Sequence, residues 1–152
     1  MKQDLVQYLS DAISRVEGGN VSSPSGSWSA GIFGKATNAF EKEVRSYVLR
    51  LLNSCNLDYE MDLRCLLKGL PFEKLTLGNL IAAIREGANL RPQAVAHNVP
   101  GGWKLTDFVK ALEKINKTWV DTKHGQEVAE PVLIAQMKSM LTISKMLRTH
   151  LW

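Results

Sequence analysis

Asn38-Ala-Phe-Glu-Lys-Glu-Val-Arg-Ser-Tyr-Val-Leu-Arg-Leu-Leu52 is the stretch whose reading decides the fold class. Its apolar side chains Phe40, Val44, Tyr47, Val48, Leu51 and Leu52 recur three and four positions apart, which lines one face of a helix; a half-buried strand would alternate instead. Asn38 stands where a helix N-cap is expected and Glu41 at the third helical position, an arrangement like a capping box. Glu41 and Arg45 form an i,i+4 pair on the flank. The stretch therefore reads as a helix that opens near Asn38 and buries one side.

Working outward, the same period recurs on both sides. Leu5, Val6, Leu9, Ala12, Ile13 and Val16 predict a first helix, stopped by Gly18-Gly19. Residues 18–36 are rich in Gly and Ser and read as a long connecting loop, with Trp28 and Ile32-Phe33 packing back onto the body. Downstream, a third helix is expected over Asp58 to Lys68. A fourth is expected with Thr76 as N-cap, Leu77, Leu80, Ile81 and Ile84 buried, and Gly87 as its stop. Pro100-Gly101-Gly102 is a turn that no helix survives. A further helix, from about Leu105 to Trp119, places Phe108, Val109, Leu112 and Ile115 on one face and Lys110, Lys114 and Lys117 outside. The C-terminal helix, expected from about Glu130 to Leu151 within 126–152, carries Leu133, Met137, Met140, Leu141, Ser144, Leu147 and Leu151 on its main face, with Ile134, Ile143 and Met146 elsewhere on the wheel. That stripe is too wide for a one-sided helix, so the helix lies in the middle of the bundle or meets a second copy of the chain. With no strand alternation and no internal repeat, the expectation is a single all-α domain over 1–152, an up-and-down helical bundle of about five to six helices.

Composition narrows the function classes. The chain of 152 residues is 45% hydrophobic and 22% charged, ordinary for one globular domain with a proper core. A formal charge of +4 is compatible with a polyanionic partner without requiring one. Cys55 and Cys65, without a Cys-x-x-Cys pair, read as reduced, packed thiols. No apolar run approaches membrane-span length, and Asp4 and Asp11 interrupt the N-terminal apolar positions, so no signal peptide, no membrane association and a cytoplasmic location are expected.

The chemistry is narrowed next. His97, His124 and His150 are the only histidines and no two lie at i,i+4, so no zinc site is expected. The phosphate-loop and dinucleotide fingerprints are absent, no Ser or Cys stands in a nucleophile motif, and no cofactor is expected. Glu41 and Glu43 read as solvated helix-face charges rather than an acid/base pair. There remains Leu90 to Trp103, Leu-Arg-Pro-Gln-Ala-Val-Ala-His-Asn-Val-Pro-Gly-Gly-Trp. Arg91 is a permanent cation with a planar fork of donors, and His97 belongs to the residue type that titrates near neutrality. On a continuous helix these two would be separated by roughly 600° of rotation, so they would not share a face, and their cooperation requires a non-helical turn or a second copy of the chain. The plainer reading makes Arg91 a loop cation and His97 an ordinary turn residue. The chemical reading is metal-free phosphodiester cleavage: the guanidinium holds the phosphate, the imidazole moves a proton, and the 2′-hydroxyl of RNA serves as nucleophile. A separate pairing, Arg148 with His150, is weaker, since two positions on a helix diverge by roughly 200°.

Arg91 to His97 is similar to the Arg-x4-6-His motif of the HEPN superfamily, small all-α domains of ribonuclease toxins, defence proteins and RNA-processing factors. Phe40 to Val48 and the Leu-Thr-Leu-Gly-Asn-Leu-Ile element at Leu75 to Ile81 also resemble that family, over about residues 37 to 120. The resemblance implies a HEPN-like bundle and a homodimer whose Arg-His pairs line one cleft and cut RNA without metal, as a defence or toxin effector. Arg91 would then orient the scissile phosphate and His97 would transfer the proton. Active members usually carry a polar residue, often Asn, directly after the arginine, where this chain has Pro92; Asn98 is the candidate to take that role. The alternative expectation, of a different class, is a non-catalytic helical module for protein–protein interaction or dimerisation, through the methionine-rich last helix, where polar substitutions at Ile143 or Met146 would weaken association, and through the Gly/Ser loop around Trp28.

Overall fold

The computed structural model of the chain describes residues 4–17, 27–57 and 72–152. Among them every regular element is helical: α1 (Leu5–Glu17), α2 (Ser27–Ser54), α3 (Leu77–Leu90), α4 (Pro92–His97), α5 (Leu105–Lys123) and α6 (Glu130–Thr149), with single 3-10 turns at Phe72–Lys74 and Pro100–Gly102. The protein is an all-α helical bundle. The helix expected over 58–68, Cys65 and residues 18–26 lie outside the described residues.

The long helix α2 is the spine. It packs against α1, α3, α5 and α6, and α6 in turn packs against α1, α2, α5 and the Pro100–Gly102 turn. One continuous core results, to which α1 gives Leu9, α2 Phe33, Phe40, Val48 and Leu51, α3 Leu80 and Ile84, α5 Phe108 and Leu112, and α6 Met137, Met140 and Ile143. Burial on this scale, at roughly 1.5–3 kcal/mol for each large apolar side chain, is what holds helices of this length in place. Among the described residues no helix is long and apolar enough to cross a membrane.

The structure corrects the expected start of α2. Residues 27–36, read as loop, are helical, and Asn38 is an exposed residue inside the helix instead of its cap. Phe33, Ala36, Thr37 and Phe40 are all fully buried. Their spacing continues the apolar stripe of Val44 and Val48 one turn at a time, so tertiary packing overrides the low helix propensity of the local Gly and Ser. Gly34 contributes by being small: a Cβ there would stand 3.0 Å from the ring of Trp119, so its absence lets α5 approach. The expectation that Ile32-Phe33 packs onto the body holds, by way of a helix.

Two further boundaries moved for physical reasons. Thr76 caps α3 as expected, with a reciprocal capping box to Asn79, but the helix does not stop at Gly87. Gly87 is buried within the helix, and the Arg91 backbone N–H donates to its carbonyl at 2.8 Å. Pro92, which lacks an N–H and disfavours helical geometry in the residue before it, ends α3 instead. The last helix buries one face, through Leu133, Met137, Met140, Ile143 and Ser144, and exposes Val132, Ala135, Lys138 and Lys145 on the other; Ile143, read as a position outside its main face, is fully buried in the core and is not a surface contact.

Candidate active site

Pro92 begins α4 at the position where a missing N–H costs nothing, and the six-residue helix separates Arg91 from His97. Arg91 lies at its N-terminal junction, its Nη1 donating to the Leu90 carbonyl at 3.2 Å. On its other side it approaches Cys55: burial pushes that thiol up, and the Arg91 charge partly opposes the shift. His97 closes α4 and is exposed. Arg91 itself has a non-helical backbone, φ −137° and ψ 67°, so it and His97 flank α4 at its two ends.

The residue after His97 is firmly held. The Asn98 side chain Nδ2 donates to the Ala94 carbonyl at 2.9 Å, closing the last turn of α4. The Asn98 carbonyl accepts from the Tyr47 hydroxyl at 2.6 Å, which ties α4 to the middle of α2. Tyr47 is buried, and desolvation pushes its phenol above the usual range, so it is a hydrogen-bond donor and not a base. Its ring meets Phe108 edge-on at 5.8 Å.

The structure adds a residue that sequence reasoning had set aside. His150, just past α6, sits with its ring centroid 4.7 Å from that of Trp152 and 6.3 Å from that of Tyr47, edge-on to both. Burial lowers its pKa, and the charge of His97 lowers it further. Its Nε2 is buried and has no hydrogen-bond partner among the described residues. The pairing of His150 with Arg148 does not form. Arg148 turns away, donating to Asp4 Oδ2 at 2.7 Å and to Glu43 at 2.7 Å.

The two glutamates differ from their reading as solvated charges. Glu41 pairs with Arg45 at 3.2 Å and accepts from the Leu77 backbone N–H at 3.0 Å, so it serves the N-terminus of α3. Glu43 anchors Arg148. Both are half-buried structural groups, and no group of three His, Cys, Asp or Glu side chains among the described residues is placed to hold a metal ion. His124 is exposed at the end of α5, away from any such cluster.

Tyr47 therefore links the end of α4 that carries His97 to the ring of His150, which Trp152 meets edge-on. Comparison of the chain with protein-family models, with curated proteins and with solved structures finds no match. The functional reading accordingly rests on this geometry.

Proposed function

We propose that the protein is a HEPN-like, metal-independent endoribonuclease in which His97 and His150 divide the two proton transfers. The observation that carries this reading is the link through Tyr47, whose hydroxyl bonds to the Asn98 carbonyl next to the exposed His97 and whose ring lies 6.3 Å from that of His150. A pair of titrating groups in contrasting environments is the arrangement that acid–base catalysis of phosphodiester cleavage uses. His150, neutral, takes the proton of the RNA 2′-hydroxyl as that oxygen attacks phosphorus. His97, in its protonated form, gives a proton to the departing 5′-oxygen, so the P–O5′ bond breaks and leaves a 2′,3′-cyclic phosphate and a 5′-hydroxyl.

Arg91 is the phosphate anchor in this reading, in a cleft formed with a second copy of the chain. Asn98 acts as a positioning residue, since both its amide and its carbonyl hold the end of α4 that carries His97. Cellular RNA as substrate implies a cytoplasmic effector, in defence or as a toxin. The alternative, a non-catalytic interaction or dimerisation module, keeps Met146 and the segment around Trp28 as its contacts, since Ile143 is buried.

The test is incubation of the wild type, His97→Ala and His150→Ala with mixed cellular RNA in chelator. Loss of a proton-transfer group lowers the rate by about 10²–10⁴-fold. The expected result is cleavage by the wild type, cyclic phosphate ends, and loss of that order in each variant. Cleavage that survives both substitutions removes the site; no cleavage by the wild type leaves the interaction module.

A further inference from the structure

Beside His150, which packs on Tyr47 and Trp152, lies a groove that the proton transfers leave unused. It has a volume of about 390 Å³ and runs along α2 to the region beyond α6, within the size range of small-ligand sites. Lys42, Ser46 and Arg50 line it at intervals of four residues, so they form one row on α2, with the two cations about 12 Å apart along the axis. Arg148 also reaches the groove, but Asp4 and Glu43 already occupy it. Lys42 and Arg50 are exposed and enter no ion pair among the described residues.

Trp152 forms the end of the groove. Its ring lies 5.5 Å from that of Tyr47 at an interplanar angle of 35°, it meets His150 edge-on, and 46% of the residue remains exposed. An open indole next to such cations is the pairing that recognises single-stranded nucleic acid, because every base offers a face to stack and every link a phosphate to neutralise. An acidic peptide would engage the cations and leave the indole without a role.

We propose that this groove binds a nucleotide of single-stranded RNA, its base stacked on Trp152 and its flanking phosphates held by Lys42 and Arg50. The proposal rests on the ribonuclease reading for the choice of RNA, and it accounts for how the strand is held beside His150 without help from Arg91.

The experiment measures binding of fluorescein-labelled octadeoxythymidine, which lacks the 2′-hydroxyl and so cannot be cut, by anisotropy across a salt series. Trp152→Ala is expected to weaken binding about tenfold, as loss of one stacked base does, with the salt slope unchanged and with Trp152→Phe restoring most of the affinity. Lys42→Ala/Arg50→Ala is expected to reduce the slope by about 1.4, two phosphate contacts on a single strand. Wild-type affinity in Trp152→Ala overturns the proposal. So does binding that only the double variant weakens and that oligoglutamate displaces equally well, which marks a surface for acidic polymers. Binding that depends on Trp152 in a protein that leaves RNA intact overturns the ribonuclease reading and keeps the groove. Cleavage of RNA with binding indifferent to all these substitutions does the reverse.

Discussion

Gly101 and Gly102 have nearly the same backbone conformation, φ +68 and +70, in very different surroundings. A Cβ at Gly102 would meet nothing within 4 Å, whereas one at Gly101 would overlap the Sδ of Met146 and stand 3.1 Å from its Cγ. Left-handed φ costs an L residue about 1–2 kcal/mol, and the lower entropy of the unfolded alanine chain returns about 0.4–1 kcal/mol. Gly102→Ala is therefore expected to cost about 1 kcal/mol. Gly101→Ala adds displacement of the half-buried Met146, about half of a fully buried side chain's ~1.5–3 kcal/mol, for a total of about 2 kcal/mol. Urea unfolding of the two variants side by side, at unchanged m, measures the difference. In thermal unfolding it corresponds to roughly 3 °C against 6 °C of lost Tm for a chain of this size. In a Met146→Ala background the excess at position 101 is expected to vanish. Equal costs at the two glycines, or an excess that survives Met146→Ala, would refute the argument. The contact also reaches the site: the turn comes just after Asn98, and Met146 lies one helical turn before His150, so a displaced turn separates the two imidazoles and Gly101→Ala is expected to slow cleavage as well.

Tyr47→Phe keeps the ring and removes the donor to the Asn98 carbonyl, and its expected cost is about 1 kcal/mol in urea unfolding, with a larger relative loss in cleavage rate; an unchanged midpoint would show that the bond carries no weight. Phe33→Ala, in the segment that reads as loop, is expected to destabilise by about 3–5 kcal/mol because the side chain is fully buried, and a cost under about 1 kcal/mol would return that segment to the periphery. His150 has a folded-state pKa below its unfolded value, so below the ordinary histidine range the unfolded chain binds a proton that the folded one refuses. Its contribution to stability is complete above pH ~6.5 and is lost as the pH falls through the folded value, so wild-type urea midpoints are expected to drop more between about pH 7.5 and 5.5 than those of His150→Gln, and parallel profiles would contradict the burial of the imidazole.

Much of the fold was legible because the helices are amphipathic and the 3.6-residue period is carried by large side chains. Phe40 to Leu52 in α2, Leu77 to Ile84 in α3 and Phe108 to Ile115 in α5 are buried as that period requires. Thr76 was legible as a cap for a local reason, since its partner Asn79 lies within the same turn. The start of α2 was not. Gly31, Gly34 and the serines argue locally for loop, and what overrides them is the ring of Trp119, which closes on Gly34 only after α5 has folded against α2. Gly87 misled in the same way, a glycine that makes room between α3 and the end of α2 rather than ending a helix.

The candidate site divides along the same line, by whether its parts are local or assembled. Arg91 and His97 were visible as residue types near one another in the chain, and the short helix between them results from Pro92. Local pattern could not show what packs beyond His97. Tyr47 on α2 touches both sides, bonding to the carbonyl of Asn98 after His97 and meeting His150 edge-on at the far end of the chain. Tyr47 looked like one more member of an apolar stripe; its hydroxyl gives it a second role, since a buried phenol needs an acceptor and its acceptor here is the carbonyl next to the proposed acid. A single side chain thus links the residue after His97 to His150, which is why, in the proposed reaction, its removal should be felt more strongly in the rate than in the stability.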